Sequence, residues 1–204
     1  MTATIDSPAR DKAYLGFARP SPWVMRFLPL VTPGGAVLDL ACGNGRNGRA
    51  LLARGHAVTF VDRDTEAVAD LATRTGAEIV RADLEDGSPW PLPGRRFAAV
   101  IGVNYLHRPL FPALVAALES GGVLLYDTFA RGHEALGRPR NPDHLLKSGE
   151  LLDLVKGALI VIAYEHGLID DPDCPGIKQR ICAVRAEIGP EGEPMVPPMP
   201  LPAA

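Results

Sequence analysis

A glycine-rich turn between residues 37 and 48 is the strongest chemical signal in the sequence. It reads VLDLACGNGRNG, so Gly43, Gly45 and Gly48 follow an apolar run with the spacing G-x-G-x-x-G. Glycines at this spacing, between a strand and a helix, let a ligand approach the backbone closely. Asp62 ends the next apolar run, where a carboxylate can accept hydrogen bonds from ribose hydroxyls. The pattern therefore predicts a site for a ligand that carries a ribose.

Two ligand classes fit this turn. A nicotinamide or flavin dinucleotide would place its pyrophosphate at the start of the following helix. S-adenosylmethionine has no phosphate and carries an ammonium and a sulfonium group. Asp39 stands just before the turn, where its anion would repel a pyrophosphate and attract those cations. Asp83 follows a third apolar run and is placed to meet an adenine amino group. The residues favour S-adenosylmethionine, and an NAD(P)-binding Rossmann protein is the alternative.

At these positions the sequence resembles the class I S-adenosylmethionine-dependent methyltransferases. DLACGNGRN is similar to their first motif, and CGNGRN in particular resembles the tellurite-resistance and thiopurine-type branch, which acts on small molecules. VTFVDRD is similar to the ribose motif, RADLE to the adenine motif, and LESGGVLLYDTF to the segment that enters the fifth strand. The resemblance extends from Val37 to Ile188. It implies a methyltransferase that uses S-adenosylmethionine and releases S-adenosylhomocysteine.

The resemblance also assigns a cofactor site. Asp39, Gly43 and Gly45 are expected to shape the pocket for the methionine and adenosyl groups. Asp62 is expected to hold the ribose, and Asp83 the adenine. The expected set is completed by Ala41, which stands where many members have glycine, by Arg63 beside the adenine, and by Leu84, whose amide assists.

Strands and helices alternate around these motifs. Apolar runs predict strands at 36–41, 56–62, 77–84, 97–105 and 121–129. Helical patterns are predicted at 23–30, 48–54, 65–74, 108–119 and 143–156. This alternation indicates right-handed βαβ units and a parallel sheet covered by helices on both faces.

The C-terminal part departs from this alternation. Strands at 158–167 and 179–188 are separated by a loop alone, which predicts an antiparallel pair added to the sheet. The predicted fold class is therefore α/β, a Rossmann-like, doubly wound, mostly parallel seven-stranded sheet with an antiparallel C-terminal strand. Residues 1–188 are expected to form one domain with a helical lead-in at 1–33, and the proline-rich residues 189–204 a disordered tail.

Polar residues after the fourth and fifth predicted strands are the candidates for catalysis and acceptor binding. The catalytic candidates are Asn104, Tyr105 and His107, and His107 is the best general base by its chemistry. NYLH lacks the two prolines of the Asn/Asp-Pro-Pro-Tyr motif, which argues against amino methylation of a base or amide. Substrate contacts are expected from Arg108, Arg131 and His133.

The same region carries a local concentration of basic residues, which are Arg108, Arg131, His133, Arg138, Arg140 and Lys147. It fits an anionic small substrate, or a solvated loop in an arginine-rich protein. It also leaves open an RNA or protein methyltransferase that uses loop 130–142, and nucleic acid is not excluded as a partner. Gly132 and Gly137 would let this loop move as a lid.

Composition limits the partners and the cellular compartment that we expect for the protein. The 204 residues carry a net charge of −3, so no global field attracts nucleic acid or an anionic membrane. The start of the sequence is not a signal peptide, and no apolar run could span a bilayer. Cys42, Cys174 and Cys182 are odd in number and lack zinc spacing, so we expect a reducing cytoplasmic setting and no metal. The methyl acceptor and the oligomeric state remain open.

Overall fold

The computed structural model describes residues 19–171, 173–188 and 193–195. A seven-stranded sheet runs through it in the order β3-β2-β1-β4-β5-β7-β6. Its strands are β1 (Val37–Leu40), β2 (Val58–Asp62), β3 (Ala77–Arg81), β4 (Phe97–Val103), β5 (Leu118–Phe129), β6 (Ile160–Ile169) and β7 (Gly176–Val184).

Strand directions follow the predicted pattern. β1 runs parallel to both neighbours, with Val37 opposite Val58 of β2 and Ala99 of β4. β7 runs antiparallel to β5 and to β6, and Leu125 of β5 lies opposite Cys182 of β7. The predicted fold class is confirmed.

Apolar side chains fill both faces of the sheet. Along β5, Leu125 packs with Trp23 on one face, whereas Leu124 packs with Phe111 on the other. Helices α1 (Pro22–Phe27) and α2 (Arg46–Leu52) cover the first face, and α3 (Phe111–Ala117) and α4 (Glu150–Val155) the second. Burial on both faces explains why the strands read as near-continuous apolar runs.

Several helices are shorter than their sequence patterns predict. The segment predicted as a helix at 65–74 is a 3₁₀-helix over Glu66–Leu71. The helix predicted at 143–156 is wrong in its first half, where only Pro142–His144 form a 3₁₀-turn and α4 begins at Glu150. Leu145 and Leu146 between them are fully buried, and the Leu146 amide donates to the Phe129 carbonyl. Pairing with the end of β5 therefore overrides helix propensity here.

Other element boundaries move by a few residues. β3 ends at Arg81, and the chain has already turned away before Leu84. Residues 1–18 of the predicted lead-in and most of the predicted disordered tail lie outside the described residues. Within the described part, β8 (Glu187–Ile188) and β9 (Pro194–Met195) form a separate antiparallel pair. No helix in the described segments is long and apolar enough to cross a membrane.

Candidate active site

The carboxyl ends of the parallel strands bring the chemical groups together. Asp62 ends β2, Asn104 directly follows β4, and Asp127 lies near the end of β5. Because β1, β2, β4 and β5 are parallel neighbours, these ends share one edge of the sheet. This edge is where open α/β sheets bind their ligands.

The glycine turn adopts a left-handed backbone that few residues tolerate. Ala41, Gly43 and Gly45 have φ angles of 48°, 55° and 71°. The Gly43 amide donates to Asp62 Oδ2 at 2.8 Å, so the carboxylate at the end of β2 reaches the turn. The predicted turn and the predicted ribose-binding carboxylate are therefore in direct contact.

Asp39 accepts a hydrogen bond from a backbone amide that a pyrophosphate ligand would need. Gly48 is the third residue of α2, and its amide donates to Asp39 Oδ2 at 2.7 Å. In a dinucleotide site, amides at the start of this helix point at the phosphates. Here a buried carboxylate lies beneath the helix start instead. The geometry favours a ligand with a cationic amine over one with a pyrophosphate.

We expect Gly48→Ala to destabilise the protein by about 1–3 kcal/mol, because a Cβ there overpacks the core. It would lie 2.3 Å from the Phe60 ring and 2.8 Å from Asp39 Oδ2. Urea denaturation measures the change. Gly167→Ala is the control, since a Cβ at Gly167 meets nothing within 4 Å. Equal stability of the two variants would contradict the packing of this helix start.

Burial raises the pKa of Asp39 to about 7, and the Gly48 amide opposes that rise. The folded protein then binds a proton that the unfolded chain releases near its ordinary pKa. Stability from this group is present at low pH and is lost as pH rises towards 7. When the pH rises from 5 to 6, the free energy of unfolding of the wild type should fall by about 1 kcal/mol relative to that of Asp39→Asn. Urea denaturation over this range measures it, and parallel pH profiles of the two proteins would contradict the buried carboxyl.

The adenine-side residues are exposed and locally bonded. Asp83 is exposed, and its Oδ1 accepts the Glu85 amide at 2.9 Å. Leu84 is half-buried against the second face of the core. Arg63 is exposed, and its carbonyl accepts from Arg81 Nε. These roles stay predictions.

Asn104 is held by three independent constraints. Its φ of 58° is left-handed, which asparagine tolerates better than most residues. Its amide N–H donates to the Asp127 carbonyl at 2.8 Å, and its Oδ1 accepts from Lys178 Nζ at 2.9 Å. Its Nδ2 then points to Cys174 Sγ at 3.4 Å. A lysine can only donate, so the orientation of the side-chain amide is fixed.

Buried charges lie behind Asn104. Lys178 and Asp127 are each 1% exposed, and Lys178 Nζ lies 3.5 Å from Asp127 Oδ1. Arg180 Nε lies 3.7 Å from the same oxygen. Ser21 Oγ donates to the other oxygen at 3.1 Å. Charges this deeply buried persist only when they are paired and hydrogen-bonded.

The segment before α1 closes over this edge. The Ser21 amide donates to Asn47 Oδ1 at 2.8 Å, which joins the segment to α2. Arg19 forms an ion pair with Asp173 at 2.7 Å, and its carbonyl accepts from Arg46. Residues 19–21 therefore connect the start of α2, which follows the glycine turn, with the loop before β7.

The other two catalytic candidates differ in environment. Burial and the nearby Glu85 carboxylate raise the pKa of Tyr105, so its phenol stays protonated at neutral pH. Its hydroxyl is buried with no hydrogen-bond partner among the described residues. His107 is half-buried before the 3₁₀-turn Arg108–Leu110, and the Leu110 amide donates to its carbonyl. Neither role is tested by this geometry.

Arg108 binds the protein itself. Its guanidinium donates to both oxygens of Glu150, at 2.6 and 2.9 Å. It also donates to the carbonyls of Asp143 and Leu145. Arg108 thus fastens the segment before α4, while Arg131, the next predicted substrate contact, is exposed. Substrate contact by either residue stays a prediction.

His133 lines a cleft of about 300 Å³ beyond the end of β5. It is 4% exposed and stacks on Phe129 at 4.2 Å between ring centroids. Its Nε2 lies 2.8 Å from the Arg138 carbonyl and therefore donates to it. Other lining residues are Leu136, Gly137, Arg138, Leu168, Asp173, Cys174, Pro175 and Gly176.

Sequence reasoning missed the buried polar groups. Lys178, Asp127, Ser21 and Asn47 were not among the candidates. Asp127 interrupts an otherwise apolar strand, and a charge inside an apolar run is the signal that could have found it. Lys178 opens the polar run Lys178-Gln179-Arg180 and gives no such signal. Ser21 and Asn47 give no such signal.

Residues 37–122 match a family model described as a methyltransferase domain. The match spans β1 to the first residues of β5, and therefore includes the glycine turn, Asp62, Asp83 and Asn104. No curated protein sequence matches the chain.

Solved structures share the fold at low sequence identity. TehB of Haemophilus influenzae is 18% identical over 79% of this chain, with a TM-score of 0.62. This chain spans only 61% of that protein. A TehB-like methyltransferase of Corynebacterium glutamicum is 17% identical, with coverages of 87% and 94% and a TM-score of 0.60.

A third structure carries ligands. The 1,6-didemethyltoxoflavin-N1-methyltransferase of Burkholderia thailandensis is 19% identical, with coverages of 92% and 94% and a TM-score of 0.63. Its structure contains S-adenosylhomocysteine and 1,6-didemethyltoxoflavin. This chain thus shares the fold of these methyltransferases, as its motifs predict.

Proposed function

We propose that this chain transfers a methyl group from S-adenosylmethionine to a small molecule bound in the cleft beside β5. The observation that carries the proposal is the pairing of Asp39 with the Gly48 amide beside a turn that Asp62 reaches. That arrangement suits an adenosyl ligand with a cationic amine and disfavours a pyrophosphate. When bound, S-adenosylmethionine supplies an electrophilic methyl group on a sulfonium.

The residues of the turn would hold the cofactor. Asp62 lies at the end of β2, where its oxygens can accept from ribose hydroxyls. Asp39, in its ionised form, would attract the cofactor ammonium. Ala41, Gly43 and Gly45 keep side chains away from the approach, and Arg63, Asp83 and Leu84 would border the adenine.

The cleft supports a small acceptor. Its volume of about 300 Å³ is at the lower end of the range for small-molecule pockets. Leu136 and Leu168 at its rim are 60% and 71% exposed, which suits a compact ligand with an apolar part. The Burkholderia relative acts on a small heterocycle. Methyl transfer needs orientation and exclusion of water, which a cleft of this size can provide.

His133 lines this cleft, and His107 and Asn104 are further candidate acceptor contacts. Arg131 and Arg140 of loop 130–142 are exposed and would suit an anionic ligand. Three unpaired, buried cysteines favour a reducing, cytoplasmic setting.

An experiment with labelled cofactor tests the acceptor class. The protein is incubated with methyl-labelled S-adenosylmethionine and a cell extract separated into small-molecule, RNA and protein fractions. Label in the small-molecule fraction alone is the expected result. Label in the RNA or protein fraction would overturn the small-acceptor proposal and favour the basic loop as a macromolecular contact. Asp62→Ala, which removes the ribose ligand, is the inactive control.

A further inference from the structure

Lys178 is a buried cation that the proposed cofactor site does not use. It lies on β7, is 1% exposed, and donates to Asn104 Oδ1 at 2.9 Å. Its ammonium also lies 4.9 Å from the centroid of the Phe129 ring, which lines the cleft. A buried lysine is costly unless it is paired, and Asp127 lies only loosely against it at 3.5 Å.

The ion-pair network around Lys178 contains more cationic than anionic side chains. Asp127 and Glu165 are the acids that face it and its neighbours, whereas the bases are Lys178, Arg180 and Arg26. Cations therefore outnumber anions by one in this network. Farther out, Asp173 is paired with Arg19, and Asp171 accepts the amides of Asp173 and Cys174. Burial strengthens the remaining field because water screens it little.

Lys178 determines which way the side-chain amide of Asn104 faces. Because Lys178 holds the amide oxygen, the Nδ2 donor faces Cys174, whose Sγ accepts at 3.4 Å. Cys174 itself lines the cleft. A thiol is a weak acceptor, so an anionic atom that entered from the cleft would be a stronger partner for Nδ2. The site offers a donor next to a buried cation. Asp127 lies 3.5 Å from that cation, while Asp173 pairs with Arg19 and Asp171 accepts backbone amides.

We propose that Lys178 is a positioning residue that, through Asn104, makes this site selective for acceptors whose nucleophile is an anionic oxygen or sulfur on a small apolar body. Asn104 Nδ2 donates to the anion, and Lys178 fixes the amide and supplies the charge. The apolar body lies against Phe129, with Leu136 and Leu168 at the rim. The inference rests on the proposed function, since it concerns the acceptor of the same methyl transfer.

The reaction balances without a base. A lone pair of the anionic acceptor forms the new bond to the methyl carbon, while the carbon–sulfur bond breaks and its electrons stay on sulfur. The acceptor becomes neutral and the sulfonium becomes a thioether, so no proton has to leave. An ammonium acceptor would need a base and would meet the excess positive charge.

Two near-isosteric probes test the selectivity. The protein saturated with S-adenosylhomocysteine is titrated with para-nitrophenol, at a pH where it is an anion, and with neutral para-nitroaniline. Wild type is expected to bind the anion at least about tenfold more tightly, because hydrogen bonds to charged groups are the stronger ones. The preference should fall as the pH drops through the ionisation of nitrophenol.

Two variants separate positioning from a purely structural role. Asn104→Asp keeps the side-chain shape, tolerates the left-handed backbone and keeps a partner for Lys178, but replaces the donor with an anion. Its preference should reverse in favour of nitroaniline. Lys178→Met should abolish the preference. Lys156→Met is the matched control, because Lys156 is exposed after α4, and it should retain the wild-type ratio.

The outcomes distinguish the two proposals. If wild type does not bind S-adenosylhomocysteine, the proposed function fails. If it binds S-adenosylhomocysteine but binds nitroaniline as tightly as nitrophenolate, or neither probe, the inference about Lys178 is overturned. An unchanged ratio in Asn104→Asp would overturn it as well. If Lys178→Met fails to fold, Asn104→Asp carries the test, since its carboxylate can still accept from Lys178 and leaves the buried lysine paired.

Discussion

Asp62→Ala is expected to weaken binding of S-adenosylhomocysteine by about 100-fold or more. The carboxylate lies at the end of β2 and reaches the Gly43 amide at 2.8 Å. Two ribose hydroxyls would donate to it, and hydrogen bonds to a charged group contribute about 1.5–3 kcal/mol each. The variant also releases the Gly43 amide and loosens the turn. Isothermal titration calorimetry measures the affinity.

Asp64→Asn is the control for this prediction. Asp64 is exposed, lies two residues farther along the chain, and uses its carboxylate to accept the Glu66 amide. Its loss removes a charge of the same sign without touching the turn. An equal loss of affinity in both variants would mean that general electrostatics, rather than Asp62 itself, holds the ligand.

Trp23→Ala is expected to lower the free energy of unfolding by about 3–5 kcal/mol, the range for a large aromatic side chain in a core. Trp23 is 1% exposed, packs on Phe27 at 4.5 Å, and donates from Nε1 to the Ile181 carbonyl at 3.1 Å. Its removal leaves a cavity and an unpaired carbonyl on β7. Urea denaturation measures the loss.

The second tryptophan provides the comparison. Trp90 is half-buried and donates to the carbonyl of Leu92, two residues away. Trp90→Ala should therefore cost clearly less than Trp23→Ala. If Trp90→Ala proved as destabilising as Trp23→Ala, the packing of α1 against β5 and β7 would not be the anchor that the structure indicates.

The sheet could be predicted because its signals are local. Each strand is an apolar run bounded by turn residues. The glycine turn lies between β1 and α2, as its spacing predicts. The reversed strand β7 could be predicted because 158–167 and 179–188 lack a helix between them, although β7 itself runs from Gly176 to Val184. Its start moved because Lys178, a charge typical of a loop, is buried inside the strand.

The start of α4 and the buried polar network could not be predicted from local patterns. The segment 143–156 has a helical pattern, yet its first half is not an α-helix, because the Leu146 amide pairs with the Phe129 carbonyl at the end of β5. Lys178 and Asn104 are 74 residues apart in sequence, and nothing near either residue indicates the other. Arg108 looked like a free cation for a substrate, but Glu150 is its partner from 42 residues away. Interactions at such separations are decided by the tertiary fold.

The cofactor site lies between these two cases. Asp39, Gly43, Gly45 and Asp62 follow strand ends that the sequence places correctly, so their convergence could be predicted. The contact of Asp39 with the Gly48 amide could not, because it depends on how α2 sits over β1. That contact is also the feature that separates an adenosyl ligand from a dinucleotide.

The measurement that tests the central claim most directly is calorimetric titration of the wild-type protein with S-adenosylhomocysteine, with NADH titrated in parallel. The account predicts saturable binding of S-adenosylhomocysteine in the micromolar range and no binding of NADH. Clear binding of NADH without binding of S-adenosylhomocysteine would contradict it, and the glycine turn would then be a dinucleotide site.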